Sequence, residues 1–242
     1  MGSSTARDGL QRLRRGRRQN LALLVSFVLL VLFQPVLGHR SIQLGLLFDF
    51  LFVFTGFYVF FVVFRARWER RVAFVIVLPA LVSYTMIYAL LAGRFSMPIA
   101  VAYHCSVVMF LGFVVAVILR DIFRKGVISG DDVVGAICGY LIAALAWANL
   151  YSLTELLFPR AFTVNAAIAW RLGNWHTRRA LFDYVSFTTL TGLGYADVVP
   201  TAPPAYSLTW LEVIFGQFYI AVVVAQLVGL KLADALRKSP GP

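Results

Sequence analysis

Charge is scarce in this chain. Of its 242 residues only 14% are Asp, Glu, Lys or Arg, whereas 60% are hydrophobic. A soluble domain with that balance would have no polar shell, so the composition predicts a polytopic membrane protein. Acidic residues are the scarcer sign, 11 against 22 basic ones, for a net charge of +11. In a soluble protein that excess would suggest nucleic acid. Here the basic residues cluster at the ends of apolar segments, so membrane orientation accounts for them and no nucleic-acid partner is expected. Cysteine is nearly absent. Cys105 and Cys138 both fall inside apolar segments and suggest packing rather than a disulfide or a metal site. The three histidines, His39, His104 and His176, are far apart, and no intramembrane acid pair or Ser–Lys dyad stands out. Convergent polar groups of the kind catalysis needs are therefore missing, and no enzyme is expected. There is no internal repeat and no low-complexity stretch.

What is present is a series of six apolar segments, at 20–37, 41–64, 72–92, 97–119, 132–157 and 206–232, each long enough to span a bilayer as a helix. The first is long and branched and is followed by no small-residue cleavage site, so it reads as a retained span rather than a signal peptide. Residues 1–19 carry Arg7, Arg12, Arg14, Arg15, Arg17 and Arg18 against Asp8 alone. They read as a basic cytoplasmic arm, able to touch anionic lipid headgroups.

Charge sets the orientation. With an even number of spans both termini share a side. Placing them inside puts sixteen Lys and Arg on that face, including Arg65, Arg67, Arg70, Arg71, Arg120, Arg124, Lys125, Lys231, Arg237 and Lys238. Six remain outside: Arg40, Arg94, Arg160, Arg171, Arg178 and Arg179. Both termini are thus expected in the cytoplasm. The loop 126–132, with Gly130, Asp131 and Asp132, reads as the boundary between a four-helix peripheral part (20–125) and a second part (132–242). The stretch 159–177, with Trp170 and Trp175, reads as an outer-surface loop.

Between the last two apolar segments lies FDYVSFTTLTGLGYADVVP, residues 182–200. It is too short and too rich in Thr and Gly to cross a bilayer. Its first part suits a short helix, and its second an extended run containing glycine. Bare backbone at membrane depth is tolerated only where protein buries it or where it lines a watery path, which points to a pore. The run from Thr188 to Pro200 resembles the pore signature of tetrameric potassium channels, usually TLTTVGYGDxxP. The likeness covers about a hundred residues, and Leu211-Glu212 with Gly216-Gln217-Phe218-Tyr219 resemble bacterial channels with a two-helix pore.

That resemblance implies a pore helix at 179–191, a filter at 192–196 and an inner helix at 206–232. Potassium would bind backbone carbonyls of Thr191, Gly192, Leu193, Gly194, Tyr195 and Ala196, which replace its hydration shell. Gly permits the positive φ such a strand needs. Tyr195 would pack outward as a spacer, Thr188 would support the filter, and Asp197 would sit at the outer mouth and concentrate cations. The C-terminal end of the pore helix would favour a cation in the central cavity. Two positions depart from the family. Gly192 stands where it has Thr, removing the hydroxyl ring of the innermost site. Ala196 stands where it has Gly, and a left-handed Ala196 would cost roughly 1–2 kcal/mol per subunit.

No Arg or Lys lies between Met97 and Leu119, so S4-type voltage sensing is not expected. Asp49 and His104 fall at similar depth, near Tyr84 and Tyr88, and suggest a polar cluster that either pins helices or acts as a proton-sensitive latch. Glu212 is expected to brace the pore helix, through Thr188 or Thr189. Gly216 suits either a bend or close packing. Gln217, Ile220, Val224 and Val228 recur at helical spacing and suit a cavity lining or ordinary helix packing.

The reading as a whole is an all-α integral membrane protein with six transmembrane helices, a re-entrant pore helix and a filter loop, closed as a homotetramer. It implies a multi-pass protein of a cell membrane, on the family likeness a bacterial inner membrane. Function would be passive potassium-selective conduction, with potassium as permeant ligand and no organic or redox cofactor. The alternative is a weakly selective cation channel, or a non-conducting homologue acting as subunit or sensor. Only ten residues follow Leu232, so any stimulus is expected to act on the membrane part, the N-terminal arm or a partner.

Overall fold

The computed structural model describes residues 66–89, 97–124, 130–169, 175–194 and 197–238. They are mostly helical: α1 (Arg67–Ala89), α2 (Met97–Arg124), α3 (Gly130–Leu157), α4 (Trp175–Leu190) and α5 (Pro203–Lys238), with short strands β1 (Phe162–Val164) and β2 (Val198–Pro200). Among the described residues three helical stretches are long and apolar enough to cross a membrane: Met97–Arg124, Asp132–Leu157 and Pro203–Ala233. The segments 20–37 and 41–64, the N-terminal arm and Asp49 lie outside the described residues.

Several boundaries move from where hydropathy put them, because helices continue through polar residues that a hydropathy reading assigns to loops. Arg67, Arg70 and Arg71 belong to the first turns of α1, and Arg120 and Arg124 to the last turns of α2. Gly130–Asp132, expected in a loop, forms the first residues of α3. Helix α4 starts a turn before residue 179 and ends at Leu190, so Thr191 lies beyond it. Helix α5 begins at Pro203, whose fixed φ suits a first helical position and whose missing N–H costs nothing there.

α3 is the hub. It packs on α2, α4 and α5. Its buried Ala136, Ala143, Ala144 and Ala148 let neighbouring backbones come close. One core joins Leu111, Val114 and Ile118 of α2, Ile142 and Leu145 of α3, and Tyr219 and Val223 of α5. That core crosses the boundary expected at 126–132, so the peripheral and C-terminal parts share one interior. α1 lies against α2. Glu69, buried, forms an ion pair with Arg120, whose guanidinium also stands 5.8 Å over the Trp68 ring. Toward the other end Tyr84 stacks on Tyr103, and Tyr103 stands edge-on to His104.

The segments flanking α4 carry a feature without a hydropathy signature. β1 and β2 pair antiparallel, Phe162 opposite Pro200 and Val164 opposite Val198. The Glu155 carboxylate accepts the N–H groups of Arg160 (3.0 Å) and Phe162 (3.1 Å), fixing the turn from α3 into β1. A second core of Tyr151, Phe162, Leu181, Phe182, Val185, Val198 and Ala205 fills the space between this ribbon and α4.

α5 meets α4 at Gly216. A Cβ at that position would stand 2.1 Å from the Leu190 carbonyl oxygen, well inside contact distance. Of the two roles the sequence leaves open for Gly216, close packing is the one with a visible cause. Gly229 in the same helix has nothing within 4 Å of a would-be Cβ. Gly216→Ala should therefore lower the unfolding free energy in detergent micelles by about 1–3 kcal/mol through overpacking. Gly229→Ala should leave it unchanged or slightly raised, as measured by denaturant titration of the full chain.

Candidate functional site

An α-helix leaves its last four carbonyls without intrahelical partners. In α4 these are Phe187, Thr188, Thr189 and Leu190, and each finds a donor. Thr191 turns back and gives Phe187 both its N–H (3.3 Å) and its hydroxyl (2.8 Å). The N–H of Gly192 reaches Thr189 O at 2.9 Å. The N–H groups of Leu193 (2.8 Å) and Gly194 (3.1 Å) converge on Thr188 O. Leu190 O accepts the Tyr140 hydroxyl at 3.0 Å, from α3.

This wrapping needs glycine. Gly192 has φ +77° and Gly194 φ +56°, with the residue between them on the ordinary side. Alternating hand over successive residues turns their N–H groups to one side, forming a concave nest, here around the Thr188 oxygen. The peptides are trans, as no cis bond occurs among the described residues. In a planar trans peptide the carbonyl points opposite to the N–H of the next residue. The carbonyls of Thr191, Gly192 and Leu193 are therefore all directed away from the end of α4. All four residues from Thr191 to Gly194 are exposed. The N–H directions thus turn three successive carbonyl oxygens, those of Thr191, Gly192 and Leu193, to the open side of the segment. Tyr195 and Ala196 lie outside the described residues.

The far end of the segment is tied to the ribbon. The N–H of Asn165 donates to Asp197 O (2.9 Å), while the Asp197 residue itself is exposed. Thr201 donates its N–H to Ala161 O and its hydroxyl to Arg160 O, both at 2.8 Å.

Behind α4 sits Glu212, fully buried. Its carboxylate accepts the Tyr151 hydroxyl from α3 and stands against Ser186 Oγ of α4. Ser186 Oγ also lies 2.6 Å from Ala144 O. The sequence points to Thr188 or Thr189 as the partner of Glu212; the contacts it makes are with Ser186 of α4 and Tyr151 of α3. The Thr188 hydroxyl donates to Val185 O within its own helix, and Thr188 supports the segment through its carbonyl instead. Sequence reasoning missed Tyr140, Tyr151 and Ser186. A signal was present, since Tyr140 and Tyr151 stand eleven residues, three turns, apart, with Ala144 and Ala148 between them on the same face.

The other expected residues distribute as follows. His104 is buried with Nδ1 3.1 Å from Asn149 Oδ1, and Asn149 donates its Nδ2 to Leu145 O at 2.7 Å. Its described partner is thus Asn149, and its expected contact with Asp49 lies outside the described residues. Gln217, Ile220, Val224 and Val228 are all exposed along one face of α5. Among the described residues no cluster of His, Cys, Asp and Glu is arranged to hold a metal ion. No family model, curated protein or solved structure matches this chain.

A three-helix network should show strong coupling. Tyr151→Phe and Glu212→Gln should each destabilise the protein by about 1–3 kcal/mol. The double variant should lose less than the sum by about 0.5–3 kcal/mol in a double-mutant cycle read by denaturant titration.

Proposed function

We propose that four copies of this chain close around an axis and conduct potassium passively through the segment 191–196. The observation that carries this reading is the row of outward carbonyls at Thr191, Gly192 and Leu193, whose partner N–H groups are already engaged by α4. At membrane depth an unsatisfied carbonyl costs several kcal/mol, so such a row needs a ligand. Stacked oxygens match what a dehydrated monovalent cation requires, and fourfold closure converts each row into rings. The resemblance of residues 188–200 to the potassium-channel signature supports the same choice. In this reading α3 and α5 are the outer and inner helices and α4 is the re-entrant pore helix. Tyr195 is the outward spacer, and Asp197 the acidic group at the mouth.

The uncovered surface of α5 supports assembly. Within its apolar stretch only 17% is buried by the rest of the chain, against 39% in α2 and 44% in α3. Trp210 (69%) and Phe218 (64%) are among the most exposed side chains. The reading includes six spans, a multi-pass cell-membrane location with both termini cytoplasmic, lipid contact by the basic arm, and no S4-type voltage sensing.

One observation favours the weakly selective alternative. Gly192 has no side chain, so no hydroxyl oxygen stands at the position where the resembled signature has Thr. Reversal potentials of the purified chain in bilayers separate the readings. A potassium-selective pore shifts toward the potassium equilibrium potential under opposed potassium and sodium gradients. A reversal near zero assigns the weakly selective pore, and absence of current removes conduction. Gly194→Ala should reduce potassium current by at least about tenfold, because an L-residue at φ +56° is strained by roughly 1–2 kcal/mol in every subunit although space for a Cβ exists.

A further inference from the structure

α5 carries a polar group that its surroundings in the single chain do not explain. Gln217 lies fourteen residues from the start of α5 at Pro203, or about 21 Å along the helix axis, near the middle of an apolar stretch. Its neighbours Ile214, Phe218 and Ile220 are exposed and apolar, and Gln217 is exposed among them. A primary amide at the centre of a bilayer-spanning helix turns toward a polar partner or a watery space. The preceding residue, Gly216, is the point where α5 touches the end of α4 at Leu190 O. Gln217 is therefore level with the place where α4 ends and the carbonyl row begins.

The amide is also close to that row. Gln217 Nε2 stands 3.4 Å from where a Cβ on Gly192 would be, and nothing else comes within 4 Å of that point. The amide thus occupies the space beside Gly192 that a side chain at 192 would enter. An amide carbonyl is the same hard, neutral ligand as a peptide carbonyl. It is the kind of oxygen that a cation losing water takes in exchange.

We infer that Gln217 is an ion ligand at the inner end of the carbonyl row, its amide oxygen filling the role that a side chain at position 192 does not supply. In four copies the amides form a ring below the Thr191 and Gly192 carbonyls, and this ring contributes to preference for potassium over sodium. The inference rests on the pore reading above and names one further element of the same site.

The test uses the full chain with Gln217→Leu, which keeps the length and removes the oxygen, and Gln217→Asn, which keeps the amide on a shorter stem. In bilayers Gln217→Leu should lower the potassium-to-sodium permeability ratio at least about fivefold, with Gln217→Asn falling between it and the parent. In detergent, the potassium concentration giving half-maximal thermal stabilisation should rise about tenfold in Gln217→Leu, while the midpoint without potassium stays near the parent's. This second measurement applies even where a variant carries no current. An unchanged potassium concentration for half-stabilisation, or an unchanged permeability ratio in a conducting Gln217→Leu channel, overturns the assignment and leaves the pore reading standing. A parent chain showing neither potassium current nor potassium stabilisation removes the pore reading and this ligand with it.

Discussion

A peptide group cannot turn its N–H and its carbonyl to the same side. Around α4 that rule links two features that look separate. The helix ends with four carbonyls in need of donors, and the residues that follow supply them: Gly192 to Thr189, Leu193 and Gly194 to Thr188, Thr191 to Phe187. Having turned their N–H groups inward, the peptides of Gly192, Leu193 and Gly194 present their carbonyls outward, whereas Leu190 O, opposite the Thr191 N–H, is taken by the Tyr140 hydroxyl. The capped helix end and the open row of oxygens are one arrangement seen from two sides. Glycine at 192 and 194 makes it possible, since the alternating hand places positive φ at both.

An arrangement of this kind is only as defined as the helix it hangs from. Apolar packing alone, as in the cluster of Leu181, Phe182 and Val185, holds α4 in place but says little about its rotation. Directional contacts fix that rotation. Glu212 engages Ser186 of α4 and Tyr151 of α3 at once, and Tyr140 reaches Leu190 O at the helix end. A buried carboxylate is an inefficient source of stability compared with well-packed apolar side chains. Its use here is consistent with a need for orientation, because rotating α4 would break both hydroxyl contacts. The far end of the segment is fixed separately, by the ribbon of β1 and β2 and by the Asn165–Asp197 bond. The row of carbonyls is thus suspended between two anchors that share Tyr151, which contacts Glu212 on one side and the Phe162 ring on the other.

How much of this is legible in the sequence follows from what hydropathy and spacing encode. Depth along a helix is readable, which is why Glu212 was assigned to bracing α4. Rotation about the helix axis is not, so the partner came out as Thr188 or Thr189 when Ser186 faces Glu212. Long apolar runs locate α1, α2, α3 and α5, yet hydropathy sets helix ends too short wherever arginines continue a helix, as at the start of α1 (Arg67–Arg71) and the end of α2 (Arg120–Arg124). Strands of three residues are too short to show alternation, so β1 and β2 left no trace. Gly216 was legible as a glycine with a purpose, but only the approach of Leu190 O selects packing.

The distribution of burial around α5 bears on assembly. Glu212, Gly216, Tyr219 and Val223 form its covered stripe, and Gln217, Ile220, Val224 and Val228 follow one residue later, about 100° round the helix. Beyond them Ile214, Phe218 and Val222 extend the exposed, largely apolar arc to roughly 200°. A single packed helix covers about half of that, so one neighbour cannot account for it. In the proposed tetramer the arc divides naturally: the Gln217 stripe meets the axis, and the Phe218 side meets the adjacent copy and lipid. The only strongly polar member of the exposed mid-helix arc, Gln217, then falls on the stripe nearest the carbonyl row. In that proposed arrangement a polar group at membrane depth has a use there, whereas the Phe218 side faces the adjacent copy and lipid.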